Sequence, residues 1–141
     1  MPRETRHGFT LLEVLLVLAI LAAIASVIVP DLLSRQNKAN RDTTLLTIVA
    51  TEQALKMYAI DHRGQWPTPE QALDALLLAP AGDKRWSGPY LMSRPTDPWG
   101  NVLRCRASQH PGMQISAYSI GPDGRESTDD DVFSAELQDA S

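Results

Sequence analysis

Cysteine is nearly absent from this chain of 141 residues, because Cys105 stands alone and no disulfide can form within the chain. An exported domain would need another way to fasten its loops, and Cys105 is predicted to be a small buried strand residue. Positive charge is also scarce: the net charge is -4, which argues against a nucleic-acid partner. No Ser/His/Asp set, open metal cluster or phosphate-binding loop stands in the sequence, so we predict that the chain is not an enzyme.

Apolar residues dominate the N-terminus. Residues 9–29 are 21 residues that are all apolar or small except Glu13. A run of about 20 such residues can cross a bilayer as a helix, and it is longer than the apolar region of a cleavable secretory signal. Arg3 and Arg6 precede it, which predicts a single-pass protein with a cytoplasmic N-terminus and its bulk across the membrane. The alternative, a buried helix of a soluble protein, would need a large core.

Glu13 is the exception within this apolar run. A charge near the centre of a bilayer costs about 2.5–3.5 kcal/mol on insertion scales. If the chain were cut between Gly8 and Phe9, a new amine would arise close to Glu13, and an amine and a carboxylate on packed helices can neutralise each other. Glu13 would then fix the register of assembly. The alternative is an interfacial Glu that reaches the lipid headgroups.

The stretch Gly8-Phe9-Thr10-Leu11-Leu12-Glu13 resembles the processing motif of type IV pilins and type II secretion pseudopilins. The resemblance implies that residues 1–8 are a leader that a prepilin peptidase removes after Gly8. The same enzyme would then methylate the new amine of Phe9. The acid at the position of Glu13 is tied, in that family, to docking of subunits.

The remaining pattern predicts an α+β head. Apolar residues recur at helical spacing up to Ile60, so we predict one helix over about 9–60, with 9–30 as the membrane and assembly segment and 31–141 as the head. Thr68, Pro69 and Gln71 predict a capped start for a short helix over 71–79. Segments 102–107 and 114–119 alternate as strands. A small antiparallel sheet packed on the long helix, in a pilin-like fold, is the expected architecture.

Three polar residues of the head were assigned from their surroundings. Glu52 is predicted to mark the polar face of the long helix, and His62 and His110 are predicted to be solvated loop residues without a metal. The loop over 81–96 is rich in Pro and Gly, but its aromatic residues predict that it is ordered. Its conformation does not follow from the sequence.

The head also resembles one branch of the same family, the major pseudopilins of type II secretion. The resemblance rests on three motifs: Trp66-Pro67-Thr68, then Asp97-Pro98-Trp99-Gly100, then Ser119 to Gly124 with a late Asp-Asp pair. It runs nearly end to end. Type IV pilins proper usually close this region with a disulfide, which a single cysteine forbids.

The loop over 119–132 is crowded with acids. Carboxylate and carbonyl oxygens are the ligands that Ca²⁺ takes, although the spacing is not that of an EF-hand. On composition alone, a solvated acidic turn is the better interpretation. The family resemblance implies instead one bound Ca²⁺, with Asp129 facing solvent. The implied ligands are the side chains of Asp123, Asp130 and Asp131 and the backbone carbonyls of Ile120, Arg125 and Thr128.

The resemblance implies a structural subunit that polymerises into a periplasmic pseudopilus and drives export of folded proteins across the outer membrane. The implied localisation is the bacterial inner membrane with a periplasmic head. The implied partners are further copies of the chain, minor pseudopilins, an inner-membrane assembly platform with its ATPase, and the prepilin peptidase. The alternatives are a minor pseudopilin, a type IV pilin of a surface fibre, or a membrane-anchored enzyme or binding protein.

Overall fold

The computed structural model describes residues 8–134, and for residues 27–31 it describes the backbone alone. Residues 1–7 of the predicted leader lie outside this range. The chain divides into two compact units at residue 38, and each is described by itself. Among the described residues, no helix is both long and apolar enough to cross a membrane. The predicted membrane segment over 9–30 therefore stays a prediction.

The long helix α1 spans Leu11–Asp61, close to the predicted 9–60. It begins with a cap that the sequence analysis had not identified. The backbone N–H of Glu13 donates to the side-chain oxygen of Thr10 at 3.2 Å, which places Thr10 at the N-cap and Glu13 in the first turn. An acid in the first turn interacts favourably with the helix dipole. Glu13 therefore has a local role in the helix start in addition to any role in assembly.

Within the head unit, the predicted apolar face of α1 is confirmed. Leu45, Ile48 and Leu55 are buried, and Val49 is half-buried. The helix ends where Arg63 and Gly64 adopt positive φ angles of 57° and 86°. The Gly64 N–H then donates to the carbonyl of Ala59 at 2.7 Å, which satisfies a carbonyl of the last turn.

Glu52 was predicted wrongly. Glu52 is only 8% exposed and lies in the core of the head. Two donors from distant parts of the chain hydrogen-bond to its carboxylate there. The carboxylate accepts the backbone N–H of Ala117 at 3.3 Å and the hydroxyl of Ser134 at 2.9 Å. A buried carboxylate is tolerated only with such partners. The helical period alone therefore misassigned its face.

The second helix is shorter than predicted. Helix α2 spans Ala72–Leu77, and Gln71 precedes it without a side-chain cap. The predicted capping by Thr68 is wrong: the carbonyl of Thr68 accepts the N–H of Gln71 at 3.1 Å, which forms a separate turn before the helix. The apolar face is nevertheless as expected, with Ala72, Ala75 and Leu76 buried.

The sheet is antiparallel, as predicted. In the described residues its order is β1, Arg104–Ala107, then β2, Ile115–Ser119, then β3, Val132–Phe133. Cys105 pairs with Ala117 in the β1–β2 register. The two-residue strand β3 was not predicted, because a stretch that short carries no alternation to detect. Its pairing of Val132 with Ser119 brings the two ends of the acidic loop together.

Two apolar clusters form the core of the head. The first joins α1, α2 and β2, and partly buried Trp66, Trp86, Tyr90, Leu91 and Cys105 pack against it: Ala54, Leu55, Tyr58, Ala72, Ala75, Leu76 and Ile115. The second joins α1 to β2 and β3, with Trp99 packed against it: Leu45, Ile48, Leu103, Ala117 and Val132. The predicted packing of the sheet on the long helix is thus confirmed for the head unit.

His62 was also predicted wrongly, because it is buried at the end of α1. Its Nδ1 lies 2.7 Å from the carbonyl of Tyr58, and its Nε2 lies 2.6 Å from Asp83 Oδ2 in the loop over 81–96. The Tyr90 hydroxyl donates to Asp61 at 2.7 Å. The Trp86 indole N–H donates to the carbonyl of Ala75 in α2, also at 2.7 Å. These contacts order the loop, as its aromatic residues predicted.

Candidate cation loop and N-terminal motif

The N-terminal motif lies at the start of α1. Gly8 and Phe9 precede the helix, and the Phe9 ring is 84% exposed. Phe9, Glu13, Val14, Val17 and Leu18 line one shallow surface depression. The predicted cleavage point is therefore accessible, and the amine of a chain starting at Phe9 would arise near the carboxylate of Glu13. Cleavage after Gly8 and methylation of Phe9 stay predictions.

The acidic loop connects β2 to β3 and closes on itself at Gly121. Gly121 has a φ of +66°, and a Cβ atom added there would stand 2.4 Å from the carbonyl oxygen of Asp130. Only glycine allows both the left-handed backbone and this close approach. The first and last predicted ligands, Ile120 and Asp131, are both buried, and they adjoin Ser119 and Val132, which pair between β2 and β3.

The carboxylates that the sequence analysis selected face the loop's own backbone. Asp123 Oδ1 accepts the N–H of Arg125 at 2.8 Å, Asp131 Oδ2 accepts the N–H of Ser127 at 2.9 Å, and Asp130 Oδ2 accepts the N–H of Asp123 at 3.2 Å. Each carboxylate thus folds the loop inward with part of its hydrogen-bonding capacity.

Thr128 lies where three oxygens converge. Its hydroxyl is 3.2 Å from the carbonyl oxygen of Arg125, 3.4 Å from Asp123 Oδ1 and 3.4 Å from Asp131 Oδ1. A hydroxyl has one proton and can donate to one of them. At least two of these oxygens therefore receive no proton from Thr128, although Asp123 Oδ1 also accepts the N–H of Arg125. Oxygens of this kind are the ligands that a hard cation takes.

Carboxylate, hydroxyl and carbonyl oxygens are the ligand types that Ca²⁺ takes. The structure brings together Asp123, Asp131, Thr128 and the carbonyl of Arg125, with Asp130 one hydrogen bond away. Within residues 8–134, however, no group of three or more His, Cys, Asp or Glu side chains is assembled as a metal centre. The prediction of a bound ion therefore stays a prediction, whereas the exposure of Asp129 to solvent is as expected.

The pKa of Asp130 is held below its ordinary value of 3.8, chiefly by the Thr128 hydroxyl and with a further contribution from the N–H of Asp123. This carboxylate is therefore ionised at neutral pH. Asp123, Asp130 and Asp131 thus lie in one loop in which each carboxylate accepts a backbone N–H.

Glu126 lies in the same loop but faces outward. It forms an ion pair with Arg104 of β1 and accepts the hydroxyl of Tyr118 at 2.9 Å. The Tyr118 hydroxyl first, and then Arg104, hold its pKa below the ordinary value of 4.5. The Tyr118 ring also stacks on Phe133, with centroids 5.7 Å apart. The sheet thus holds the middle and the end of the loop through one tyrosine.

The turn over 97–101 touches the start of the loop, a contact that the sequence analysis missed. Asn101 Nδ2 donates to the carbonyl of Gly121 at 2.9 Å, and the hydroxyl of Ser119 donates to Asp97 at 2.6 Å. The sequence marked Asp97 to Gly100 only as a turn. Its separation from residue 121 gave no signal that the two segments meet.

An apolar N-terminal helix behind a Gly-Phe processing motif, together with a head built on a small antiparallel sheet, defines the class of filament subunits with a pilin-like fold. Residues 4–29 match the prokaryotic N-terminal methylation motif, and residues 31–135 match the family described as type II secretion system (T2SS), protein G. The chain therefore belongs to the type II secretion system protein G family.

Similar proteins support this assignment along nearly the whole chain. This chain is 40% identical over 143 residues to the type II secretion system core protein G of Aeromonas hydrophila, with 99% of each chain covered. Against the protein of the same name from Escherichia coli K12, it is 36% identical, with 92% of this chain and 90% of the relative covered. The type II secretion system core protein G of Vibrio cholerae is 39% identical, with 84% of this chain and 82% of the relative covered.

A solved structure shares the fold. The crystal structure of the major pseudopilin from the type 2 secretion system of enterohaemorrhagic Escherichia coli matches with a TM-score of 0.61 and 34% identity. The match covers 75% of this chain and 91% of that one. The chain is thus a structural pseudopilus subunit and not an enzyme. These matches favour the major pseudopilin over a minor pseudopilin or a type IV pilin.

Proposed function

We propose that this chain is made as a membrane-anchored precursor, is processed after Gly8, and polymerises through residues 9–30 into a periplasmic pseudopilus that pushes folded proteins outward. One observation carries the proposal. The large apolar side chains over 9–24 are between 49% and 84% exposed, all around the helix. A helix that is apolar on every side must bury its surface against lipid or against other helices. Lipid supplies the cover before assembly, and the helices of other copies supply it afterwards.

The proposed docking contact joins Glu13 of one copy to the new amine of Phe9 on a neighbour. We expect Glu13→Ala to insert and to be processed, but to assemble poorly. Glu13→Gln keeps the size of the side chain without its charge, so it should assemble equally poorly. Filament yield by sedimentation measures the effect. Normal yield from either variant would contradict the docking role.

A matched control separates docking from helix capping. Thr10→Ala removes the cap that the Glu13 N–H uses, at a cost of about 1 kcal/mol, and leaves the carboxylate in place. If Glu13 acts through charge between copies, Thr10→Ala should assemble nearly as well as the parent chain. If Thr10→Ala and Glu13→Ala fail alike, the acid acts through the helix start alone.

Processing is tested by expression of the full chain with a prepilin peptidase, followed by intact mass and N-terminal sequence. The expected product starts at Phe9 and carries one extra methyl group. Large residues in place of Gly8 should block cutting, and an unchanged mature N-terminus in such variants would contradict the peptidase step. A parent chain that still starts at Met1 would contradict processing altogether.

The proposed topology is a single pass through the inner membrane with the head in the periplasm, where minor pseudopilins and an assembly platform with its ATPase would meet the subunit. The basic residues Arg3 and Arg6 support a cytoplasmic N-terminus. Added protease should degrade the head in spheroplasts, where the periplasmic face is accessible. In whole cells, the same protease should leave the head intact. Protection in spheroplasts would place the head in the cytoplasm and contradict this topology.

We further propose that the acidic loop binds one Ca²⁺ through the side chains of Asp123, Asp130 and Asp131. The remaining proposed ligands are the backbone carbonyls of Ile120, Arg125 and Thr128. Support comes from the acceptor oxygens that converge on the Thr128 hydroxyl. The ion supplies positive charge between carboxylates, which would hold the C-terminal part of the head without a disulfide.

Melting of the full chain in detergent micelles, in EDTA and then in CaCl₂, tests the cation site. We expect a higher melting temperature in CaCl₂, because an ion that binds only the folded state stabilises it. The gain should be lost in Asp131→Asn and kept in Asp129→Asn, a matched control whose carboxylate faces solvent. No gain in the parent chain would contradict the site and leave the solvated acidic turn as the better interpretation.

A further inference from the structure

A buried hydrogen-bond cluster lies directly beside the acidic loop. Its centre is the carboxylate of Asp97, which is 5% exposed. Asp97 Oδ1 accepts the N–H groups of Trp99 at 3.0 Å and Asn101 at 2.8 Å. Asp97 Oδ2 accepts the hydroxyl of Ser119 at 2.6 Å and the side-chain amide of Asn101 at 3.3 Å. Four donors on one carboxylate make a rigid unit of the turn over 97–101 and the end of β2.

This cluster fixes both backbone groups of Gly121. The Gly121 N–H donates to the Ser119 side-chain oxygen at 3.0 Å, and the Gly121 carbonyl accepts the Asn101 amide at 2.9 Å. Glycine has more backbone freedom to lose than any other residue, so two fixed contacts matter most at such a position. The loop therefore starts from a peptide whose orientation is set by the turn over 97–101.

The orientation of the Ile120 carbonyl follows from this arrangement. The Ile120 carbonyl and the Gly121 N–H belong to the same planar trans peptide, in which they point in opposite directions. Because the N–H points to Ser119, the Ile120 carbonyl points away from Ser119. The contact of Asn101 with the next carbonyl, that of Gly121, holds the second peptide as well.

We propose that Asp97, Asn101 and Ser119 are positioning residues for the cation loop, which they hold in its binding conformation before the ion arrives. This inference rests on the proposed Ca²⁺ site. None of the three residues contacts the ion. Their effect is to remove, in advance, the conformational freedom that the loop would otherwise lose on binding. The loop should thus bind Ca²⁺ more tightly with the cluster than without it.

The test is calorimetric titration of the full chain in detergent micelles with CaCl₂, for the parent chain and for Asn101→Ala. Asn101→Ala removes the hydrogen bond to the Gly121 carbonyl and one to Asp97. We expect the Kd for Ca²⁺ to rise about 3-fold to about 30-fold, the range for one to two lost hydrogen bonds. Ser119→Ala removes the contact to the Gly121 N–H and should weaken binding in the same range. It also serves as the second variant if Asn101→Ala fails to fold.

A merely structural role would not give this result. The control is Thr51→Ala on α1, a buried threonine whose hydroxyl donates to the carbonyl of Thr47 at 2.8 Å within the helix. The control should lower the melting temperature in EDTA and leave the Kd for Ca²⁺ unchanged. In Asn101→Ala, the gain in melting temperature on addition of CaCl₂ should shrink.

The outcomes separate the two proposals. If the parent chain does not bind Ca²⁺, the proposed site fails and the positioning role fails with it. If the parent chain binds and Asn101→Ala and Ser119→Ala bind equally tightly, the site stands and only the positioning role is overturned. A rise in Kd that Thr51→Ala shares would also overturn it, because the effect would then follow stability in general.

Discussion

Substitution of Gly121 by alanine should damage the head far more than the same change at Gly124, three residues later in the same loop. The two glycines have almost the same backbone angle, with φ of +66° and +67°. They differ in what a Cβ atom would meet. At Gly121 it would stand 2.4 Å from the Asp130 carbonyl oxygen and 2.7 Å from Asp130 Oδ2, whereas at Gly124 the nearest atom is Asn101 Oδ1 at 3.7 Å.

The expected magnitudes follow from these distances. Alanine at a left-handed position costs about 1–2 kcal/mol, and that is the whole cost at Gly124. At Gly121 the backbone of Asp130 must also move, which breaks the closure of the loop, so the total should reach about 3–4 kcal/mol. For a head of this size, about 1 kcal/mol corresponds to about 4–8 °C in melting temperature. Gly121→Ala should therefore melt at least about 10 °C below the parent chain.

Thermal unfolding of the three full chains, followed by circular dichroism in EDTA, measures this difference. EDTA is used because displacement of Asp130 would also disturb the proposed Ca²⁺ site, and the strain must be measured without that contribution. Equal losses at the two glycines would refute the reasoning, because the close approach of Gly121 to Asp130 would then carry no energetic cost.

Two further predictions concern ionisation. Burial first, and the charge of Glu52 second, raise the pKa of Cys105 to about 12, so its thiol should resist iodoacetamide at pH 8. Glu52→Gln should lower that pKa only partly, as the pH dependence of alkylation would report; no change would contradict a role for the charge. Because its folded-state pKa is depressed, Glu126 stabilises the head above its ordinary value of 4.5, and the effect is lost at lower pH. Tyr118→Phe should reduce the acid loss seen in melting temperatures between about pH 5 and about pH 3, and an unchanged acid loss would contradict this.

Local pattern was enough to predict the helix α1, the two longer strands and their antiparallel arrangement. Apolar spacing defined the face with Leu45, Ile48 and Leu55, since a helical period is a property of neighbouring residues. The face of Glu52 could not be predicted in the same way. Its burial depends on Ala117 and Ser134, whose positions are set by the tertiary fold. The burial of His62 depends likewise on Asp83, 21 residues away.

In the candidate site, too, the features set by local sequence were predictable and those set by tertiary contacts were not. The acids of the loop are visible in the sequence, and the family resemblance selected Asp123, Asp130 and Asp131 among them. The contacts of Asn101 and Ser119 with Gly121 were invisible, because a turn signal describes its own four residues and not the segment against which it packs. The short strand β3 was missed because two residues have no period. The helix start at Thr68 failed because a capping pattern can also form an isolated turn.

The buried carboxylate of Glu52 also ties the core of the head to residues far along the chain. Its two partners lie 65 and 82 residues further along the chain. Such contacts close large loops, and the entropy of loop closure opposes them. Without Ser134, Glu52 would keep only the Ala117 N–H of the two donors described here. A chain that stops before Ser134 should therefore lose a hydrogen bond inside the core of the head, so that shortening the chain at its end weakens the packing of α1 in its middle.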